Sequence, residues 1–383
     1  VSDSAAPLVE RVRSRLATGT GTPSPLAVAA LVREEAGGLL GHGAVLTAVR
    51  AATDELSGAG VLEPLLRLPG VTDVLVNGPD SVWIDRGAGL ERADVRFPDE
   101  GAVRRLAVRL AASAGRRLDD AAPWVDAGLP DGTRLHAVLP PVSGSGTCLS
   151  LRVLRRAALA FPDLAARGAF PGAAADLLRA LVGARLAFLV TGGTGTGKTT
   201  VLSALLGLVA PQERLVLCED APELAPVHPH VVRLLTRPPN VEAAGAVSLR
   251  DLVRQALRMR PDRLVVGEVR GGEVVDLLAA LNTGHDGGCG TLHVNRPGDL
   301  PARLEALGEA AGLGRAAVHS QAAAALSVVV HLRRQASGRH VAELGVVRRD
   351  GQFIEVVAGW RADGGACPAR GELAELLDER PPG

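Results

Sequence analysis

The run "LAFLVTGGTGTGKTTVLSALL", Leu186 to Leu206, constrains the fold more than any other stretch of this chain. A short apolar segment without polar alternation predicts a strand buried on both faces, and the apolar run after the glycines predicts a helix. Between them lies G-x-x-x-x-G-K-[ST], with Gly192, Gly197, Lys198 and Thr199 in register. A strand, a glycine-rich turn and a helix in that order present consecutive backbone N–H groups at a helix N-terminus, where the dipole also favours negative charge. Gly192, Gly193, Thr194, Gly195, Thr196, Gly197, Lys198, Thr199 and Thr200 are therefore the expected phosphate contacts, and the Thr199 hydroxyl is the expected Mg²⁺ ligand. Lys198 is the only lysine among 42 basic residues; the others are arginine. A compact ammonium fits against the β/γ oxygens of a nucleoside triphosphate, where a planar guanidinium offers a different donor geometry.

The rest of the chain suits that beginning. Further apolar strands, "RLVLCE", "DRLVVGE", "GTLHV" and "SVVVHL", alternate with helical stretches, which predicts an α/β nucleotide-binding domain with a sheet covered on both faces. After about Arg339 two more strand-like runs precede a polar end, read as unstructured. Upstream, residues 1–60 show three helical periodicities, the first with Leu8, Val9, Val12 and Leu16 on one face, and read as a small helical segment. Residues 61–155 alternate short strands around a helix near 100–114 and read as an α+β domain. Residues 156–172, with Pro162 and Pro171, read as a linker, and 173–383 as the nucleotide-binding domain.

Composition narrows the class. The 383 residues carry 42 basic and 42 acidic side chains and are 47% apolar, as expected for a soluble protein of two or three domains. A balance of zero argues against a nucleic-acid binder, which ordinarily needs a basic excess. Four cysteines, at 148, 218, 289 and 367, have no C-x-x-C spacing and indicate neither a zinc ribbon nor a disulfide framework. Without a signal-like apolar region after Asp3 and Glu10, or a run near 20 apolar residues, the expected location is the cytoplasm.

Three more boxes carry chemistry. "CEDAPEL" ends a strand with Glu219, Asp220 and Glu223. "DRLVVGEVRGGE" ends another with Glu268, Gly267 standing where many phosphate-loop enzymes place an aspartate; the following carboxylate is suited to polarise a water. "NTGHDGG" and "TLHVN" hold His285 and His293, eight apart and without a third metal ligand, which read as a phosphate-sensing or interface pair or as a structural pair. In the α+β domain, Arg134 and Arg152 are candidates for stabilising charge on a γ-phosphoryl group, with surface ion pairing as the alternative.

In this order "GGTGTGKT", "EDAPEL", "ALRMRPDRLVVGEVRGGE" and "NTGHDGGCGTLHVNRP" closely resemble the TadA/CpaF branch of the type II/type IV secretion ATPase superfamily. "HVVRLLTRPPNVE" and "RLDDAAPWVDAGLPDGTRLHAVLPP" resemble the same branch, so the likeness covers roughly residues 60–335. Pro222 and Val294 depart from its usual small residues without removing a chemical group. The resemblance implies a RecA-like motor domain preceded by an α+β domain and using ATP and Mg²⁺. It implies a homo-hexamer at the inner face of the cytoplasmic membrane, docked on inner-membrane platform proteins and acting indirectly on pilin-like cargo. Carried over by motif, Lys198 and Thr199 belong to Walker A, Glu219, Asp220 and Glu223 to an Asp box, Glu268 to an atypical Walker B, and His285 and His293 to a His box. Arg134 and Arg152 match arginines that reach a nucleotide, often from a neighbouring subunit. The competing readings are a DNA-translocating or conjugal-transfer ATPase, disfavoured by neutral charge and scant aromatics, a small-molecule kinase without an evident acceptor pocket, and a non-hydrolysing scaffold.

Overall fold

The computed structural model describes residues 25–36, 52–54, 58–87, 89–153, 159–237, 244–335 and 338–378, with isolated residues 11, 15, 49 and 239. It divides into two compact units, Val1–Arg155 and Arg156–Gly383. Of the expected N-terminal helical segment, Pro25–Ala36 is a helix. The residues of its first stripe, Leu8, Val9, Val12 and Leu16, lie outside the described residues.

The first unit is built on strands β1 (Asp73–Asn77), β2 (Val82–Asp85), β3 (Leu90–Arg92), β4 (Trp124–Gly128), β5 (Arg134–Val138) and β6 (Cys148–Arg152). They form one antiparallel sheet in the order β3-β2-β1-β6-β5-β4. Helix α1 (Glu100–Ser113) starts where the Asp99 side chain accepts from the Ala102 N–H, and it buries Val103, Leu106, Ala107, Leu110 and Ala111. Strand residues alternate with period two: Val74, Val76, Val125, Leu135, Ala137, Leu149 and Leu151 join that core. Their neighbours, including Trp124, Arg134 and Arg152, point to the opposite, open face.

The second unit holds strands β7 (Phe188–Gly192), β8 (Leu215–Glu219), β9 (Val231–Leu235), β10 (Arg263–Val269), β11 (Cys289–His293), β12 (Val328–Gln335), β13 (Gly338–Asp350) and β14 (Phe353–Arg361). The sheet order is β14-β13-β12-β7-β11-β10-β8-β9. From β12 to β9 neighbours are parallel, and β13 and β14 add an antiparallel extension. One face is covered by α2 (Ala174–Gly183), α3 (Lys198–Leu206) and α8 (Arg370–Asp378), whose Leu178, Leu181, Leu202, Leu205 and Leu373 share a core with Phe188, Val190 and Leu217. The other is covered by α4 (Leu249–Ala256), α5 (Glu273–Leu281), α6 (Leu300–Ala310) and α7 (Arg315–Ala325), packed on Leu189, Val216, Leu264 and Val266. Coverage on both sides explains why β7, β8 and β10 read as unbroken apolar runs.

Two expectations differ from what is seen. The polar end read as unstructured forms α8, because Leu373 is buried and packs where a Cβ on Gly359 would stand. Within the proline-marked 156–172 stretch, Phe161–Ala166 is a helix whose Phe161 and Leu164, together with Phe170, enter the core of the second unit. Stacking of Phe161 on Phe170, with ring centroids 4.5 Å apart, fixes that turn of chain to the domain. No helix among the described residues is long and apolar enough to cross a membrane.

Candidate active site

The loop after β7 is shaped by glycines. Gly192, Gly195 and Gly197 have φ of 151°, 70° and 92°, backbone conformations that L side chains rarely adopt. A Cβ on Gly192 would also stand 2.7 Å from Thr196 Oγ1 and 2.8 Å from the Leu332 carbonyl oxygen. The Thr196 hydroxyl donates to the Gly193 carbonyl at 2.9 Å, closing the loop on itself. Lys198 opens α3 and donates from Nζ to the Gly192 and Gly193 carbonyls at 3.1 and 3.0 Å. Its amine thus stands over the mouth of the loop. Burial lowers the Lys198 pKa, opposed by the nearby carboxylates Glu268 and Glu223 and assisted by Arg270.

The three carboxylates of the acidic box separate into two environments. Glu219, at the end of β8, is 2% exposed. Its Oε1 accepts from the Glu223 and Leu224 N–H groups at 2.9 and 2.7 Å, and its Oε2 from Arg233 Nε at 2.8 Å. Arg233 also donates to the Leu224 carbonyl. Burial pushes the Glu219 carboxyl above its usual range, against the pull of those donors. Glu219 therefore clamps the turn that follows it, while Asp220 and Glu223 remain exposed. Glu223 Oε2 accepts from the Thr199 hydroxyl at 3.4 Å, which joins the acidic box to the phosphate loop.

Glu268 is presented by a bulge. The β10–β11 register runs Val265↔Cys289 and Val266↔Gly290, then resumes at Val269↔Leu292, one residue longer on β10. The extra residue falls at Gly267-Glu268, and a bulge of this kind bends the strand and re-aims a side chain. Gly267 is required there, since a Cβ on it would lie 2.8 Å from Glu219 Cγ. Its carbonyl accepts from the buried Thr291 hydroxyl at 2.7 Å. Arg270 Nη2 donates to Glu268 Oε2 at 2.5 Å, and its pKa is raised first by that hydrogen bond and then by the charges of Glu268, Asp220 and Glu223. Glu273, at the start of α5, fixes the turn by accepting from the Arg270 and Gly271 N–H groups at 2.5 and 2.7 Å.

The histidines diverge. His293 ends β11 directly beside Gly192 of β7. His285 Nδ1 lies 3.1 Å from the Ala280 carbonyl near the end of α5, holding the loop before β11. A third histidine escaped sequence reasoning: His331 of β12 is paired with Thr191 of β7, and its Nδ1 is 3.0 Å from the Thr191 hydroxyl. Burial lowers the pKa of His331 to about 4, leaving it neutral behind the loop. Arg233 also escaped sequence reasoning, whereas Arg270, two residues after Glu268, is a sequence candidate for reaching the nucleotide, weaker than Arg134 and Arg152. The signal is position: "VVRLL" sets Arg233 in the middle of β9, beside the strand that ends in Glu219, and "EVRGG" sets Arg270 directly after β10.

Arg134 and Arg152 belong to the first unit. They are direct cross-strand partners, and Arg152 is in turn opposite Asp73. Arg134 donates to both oxygens of Asp126, at 3.2 and 3.0 Å, and holds that carboxyl below its usual range. Arg152 Nε donates to Asp73 Oδ1 at 3.1 Å. Two like charges directly opposite repel, and the flanking aspartates offset this on one row of the open face.

The second unit thus brings Lys198, Thr199, Glu223, Glu268 and Arg270 to one end of its sheet, with Asp220 beside them and Glu219 beneath. Backbone N–H groups at a helix start, a hydroxyl beside a carboxylate and a second carboxylate on a bulge suit a phosphate chain with a divalent cation. A family model described as Type II/IV secretion system protein matches residues 55–371. A Mycobacterium tuberculosis protein, provisionally named for conjugal transfer, is 59% identical over 349 residues, covering 89% of this chain and 99% of its own length. The type IV secretion system protein PtlH homologue of Bordetella bronchiseptica is 37% identical, covering 61% of this chain and 75% of its own. Among solved structures, the pilus retraction motor PilT with bound ADP has a TM-score of 0.51 at 21% identity, covering 74% of this chain and 80% of that one. The Yersinia pseudotuberculosis ATPase DotB has a TM-score of 0.50 at 15% identity, covering 81% of each chain. At such identities the likeness concerns the fold, an N-terminal domain followed by a RecA-like domain.

Proposed function

The chain belongs to the Type II/IV secretion system protein family, and from that premise we propose that it is a Mg²⁺-dependent ATPase driving pilus assembly or protein secretion, on the TadA/CpaF branch. The observation that carries this reading is the convergence of the glycine loop, Lys198, Thr199 and the bulge-borne Glu268 at one end of the sheet. The loop N–H groups bind the phosphate chain, and Lys198 exchanges its carbonyl partners for phosphate oxygens. Thr199, with Glu223 nearby, holds Mg²⁺, which when bound neutralises charge on the phosphate oxygens. Glu268 orients the attacking water and takes its proton, with Arg270 holding the carboxylate in place. Glu219 positions the acidic turn. His293 stands where γ-phosphate contact reaches the neighbouring strand.

The working form in this proposal is a homo-hexamer docked on platform proteins at the inner membrane face, with pilin-like cargo moved indirectly. Arg134 and Arg152 complete the site of an adjacent subunit, exchanging their aspartates for phosphate charge. A second reading, a conjugal-transfer ATPase, is favoured by the names of the Mycobacterium tuberculosis relative and of the Rhizobium radiobacter protein TrbB, 32% identical over 281 residues.

The test mixes two inactive proteins, Lys198→Ala and the double variant Arg134→Ala/Arg152→Ala, under conditions of subunit exchange. Wild type hydrolyses ATP with Mg²⁺, each variant alone loses nearly all turnover, and the mixture recovers part of it. Wild-type protein without hydrolysis overturns the ATPase reading. Mixed rings that form and stay inactive overturn the shared site.

A further inference from the structure

β12 runs beside β7 with Val328↔Phe188 through Leu332↔Gly192 as partners. β7 ends there, but β12 continues through Arg333, Arg334 and Gln335, and β13 returns with Gly338, Arg339 and His340. The arm formed by these two strand ends therefore overhangs the phosphate loop. A Cβ on Gly197 would lie 3.6 Å from Cδ of Arg339, so the arginine stem rests against the last glycine before Lys198. Arg339 is exposed and makes no ion pair or side-chain hydrogen bond to a described residue. It stands directly opposite Arg334, and Arg333 stands opposite His340.

The arm also lies on a definite side of the loop. β12 flanks β7 on one edge; β11, and beyond it β10 with Glu268, flank the other. A group reaching the loop from β13 approaches the nucleotide from the side away from the cleaved bond. We infer that Arg339 is a nucleotide-contacting residue, holding the α-phosphate of a nucleotide bound in the loop of its own chain. This rests on the reading of that loop as an ATP site. A guanidinium on an α-phosphate makes a charge-assisted hydrogen bond, and it serves ATP and ADP alike because the contact does not involve the γ-phosphate.

The experiment compares full-length wild type, Arg339→Ala, Arg339→Lys and, as a control for net charge on the same strand, Arg349→Ala. ADP and ATP binding are measured by calorimetry, and Mg²⁺-dependent hydrolysis by steady-state kinetics. Arg339→Ala is expected to weaken ADP and ATP about tenfold each and to raise KM about tenfold, with kcat within about twofold. Arg339→Lys should retain part of the affinity, and Arg349→Ala should match wild type. Unchanged affinity in Arg339→Ala, while wild type binds ADP, overturns the inference and leaves the ATP site standing. So does a loss confined to ATP, which belongs to a γ-phosphate contact, or a fall in kcat at unchanged KM. A wild type that binds neither nucleotide overturns the loop reading itself.

Discussion

β8 and β10 run side by side, in parallel register from Leu215↔Arg263 to Cys218↔Val266, and each carries a glutamate toward the same end of the sheet. β8 runs straight, and Glu219 turns inward, where two backbone N–H groups and a guanidinium saturate its oxygens. β10 breaks step at Gly267, and Glu268 turns outward to Arg270 and the phosphate loop. Two residues of one type, on neighbouring strands, are separated in role by a single extra residue of register. The inward carboxylate holds structure together. The outward one, in our reading, acts on water.

The largest effect is expected at Glu268. Glu268→Gln keeps shape and removes charge, so turnover should fall at least about 100-fold, usual for loss of a general base, while Mg·ATP still binds. Single-turnover hydrolysis beside a nucleotide titration checks this; binding lost together with turnover breaks the contrast, because it makes Glu268 structural too. Next comes Glu219→Ala, which strands two N–H groups and Arg233 and should lower the free energy of unfolding by about 2 kcal/mol. Denaturant titration is the measurement, and Glu268→Gln in the same assay should move by no more than about 0.5 kcal/mol. Equal losses at the two positions would erase the distinction.

The smallest effect is in pH. Burial raises the Glu219 carboxyl above its ordinary value near 4.5, so its protonated form is favoured more in the folded chain than in the unfolded one. Its contribution is complete below that ordinary value and is lost as pH rises through the raised one. The stability of wild type relative to Glu219→Gln should decline as pH rises above 4.5. A rising difference would mean that the donors outweigh burial.

Much of the second unit was legible because its strands are buried on both faces, and a continuous apolar run between helices fits little except a covered strand. β9 is harder to read: Val231–Leu235 is half-exposed at the sheet edge and carries Arg233 in its middle. The strand, glycine turn and helix around Lys198 were legible on different grounds, since the glycines and the elements they join are contiguous in sequence. The division of labour in "CEDAPEL" was not, because it depends on Gly267 and Arg233 arriving from other strands. His331 sat unnoticed in "SVVVHL", where only the strand signal showed. Pairing of Arg152 with Asp73, 79 residues away, is equally invisible before the sheet is assembled.

Leu332, Gly192 and His293 stand on one line across β12, β7 and β11. The sheet therefore works as a ruler, and the level at which Leu332, Gly192 and His293 stand is written in its backbone hydrogen bonds. A single residue inserted in β12 beyond Leu332 would shift the overhanging arm and leave the loop and Glu268 untouched. One inserted before Val328 and absorbed in the loop would change neither. Tolerance to insertion along this chain should follow that ruler, falling to its lowest where three strands count off the same rung.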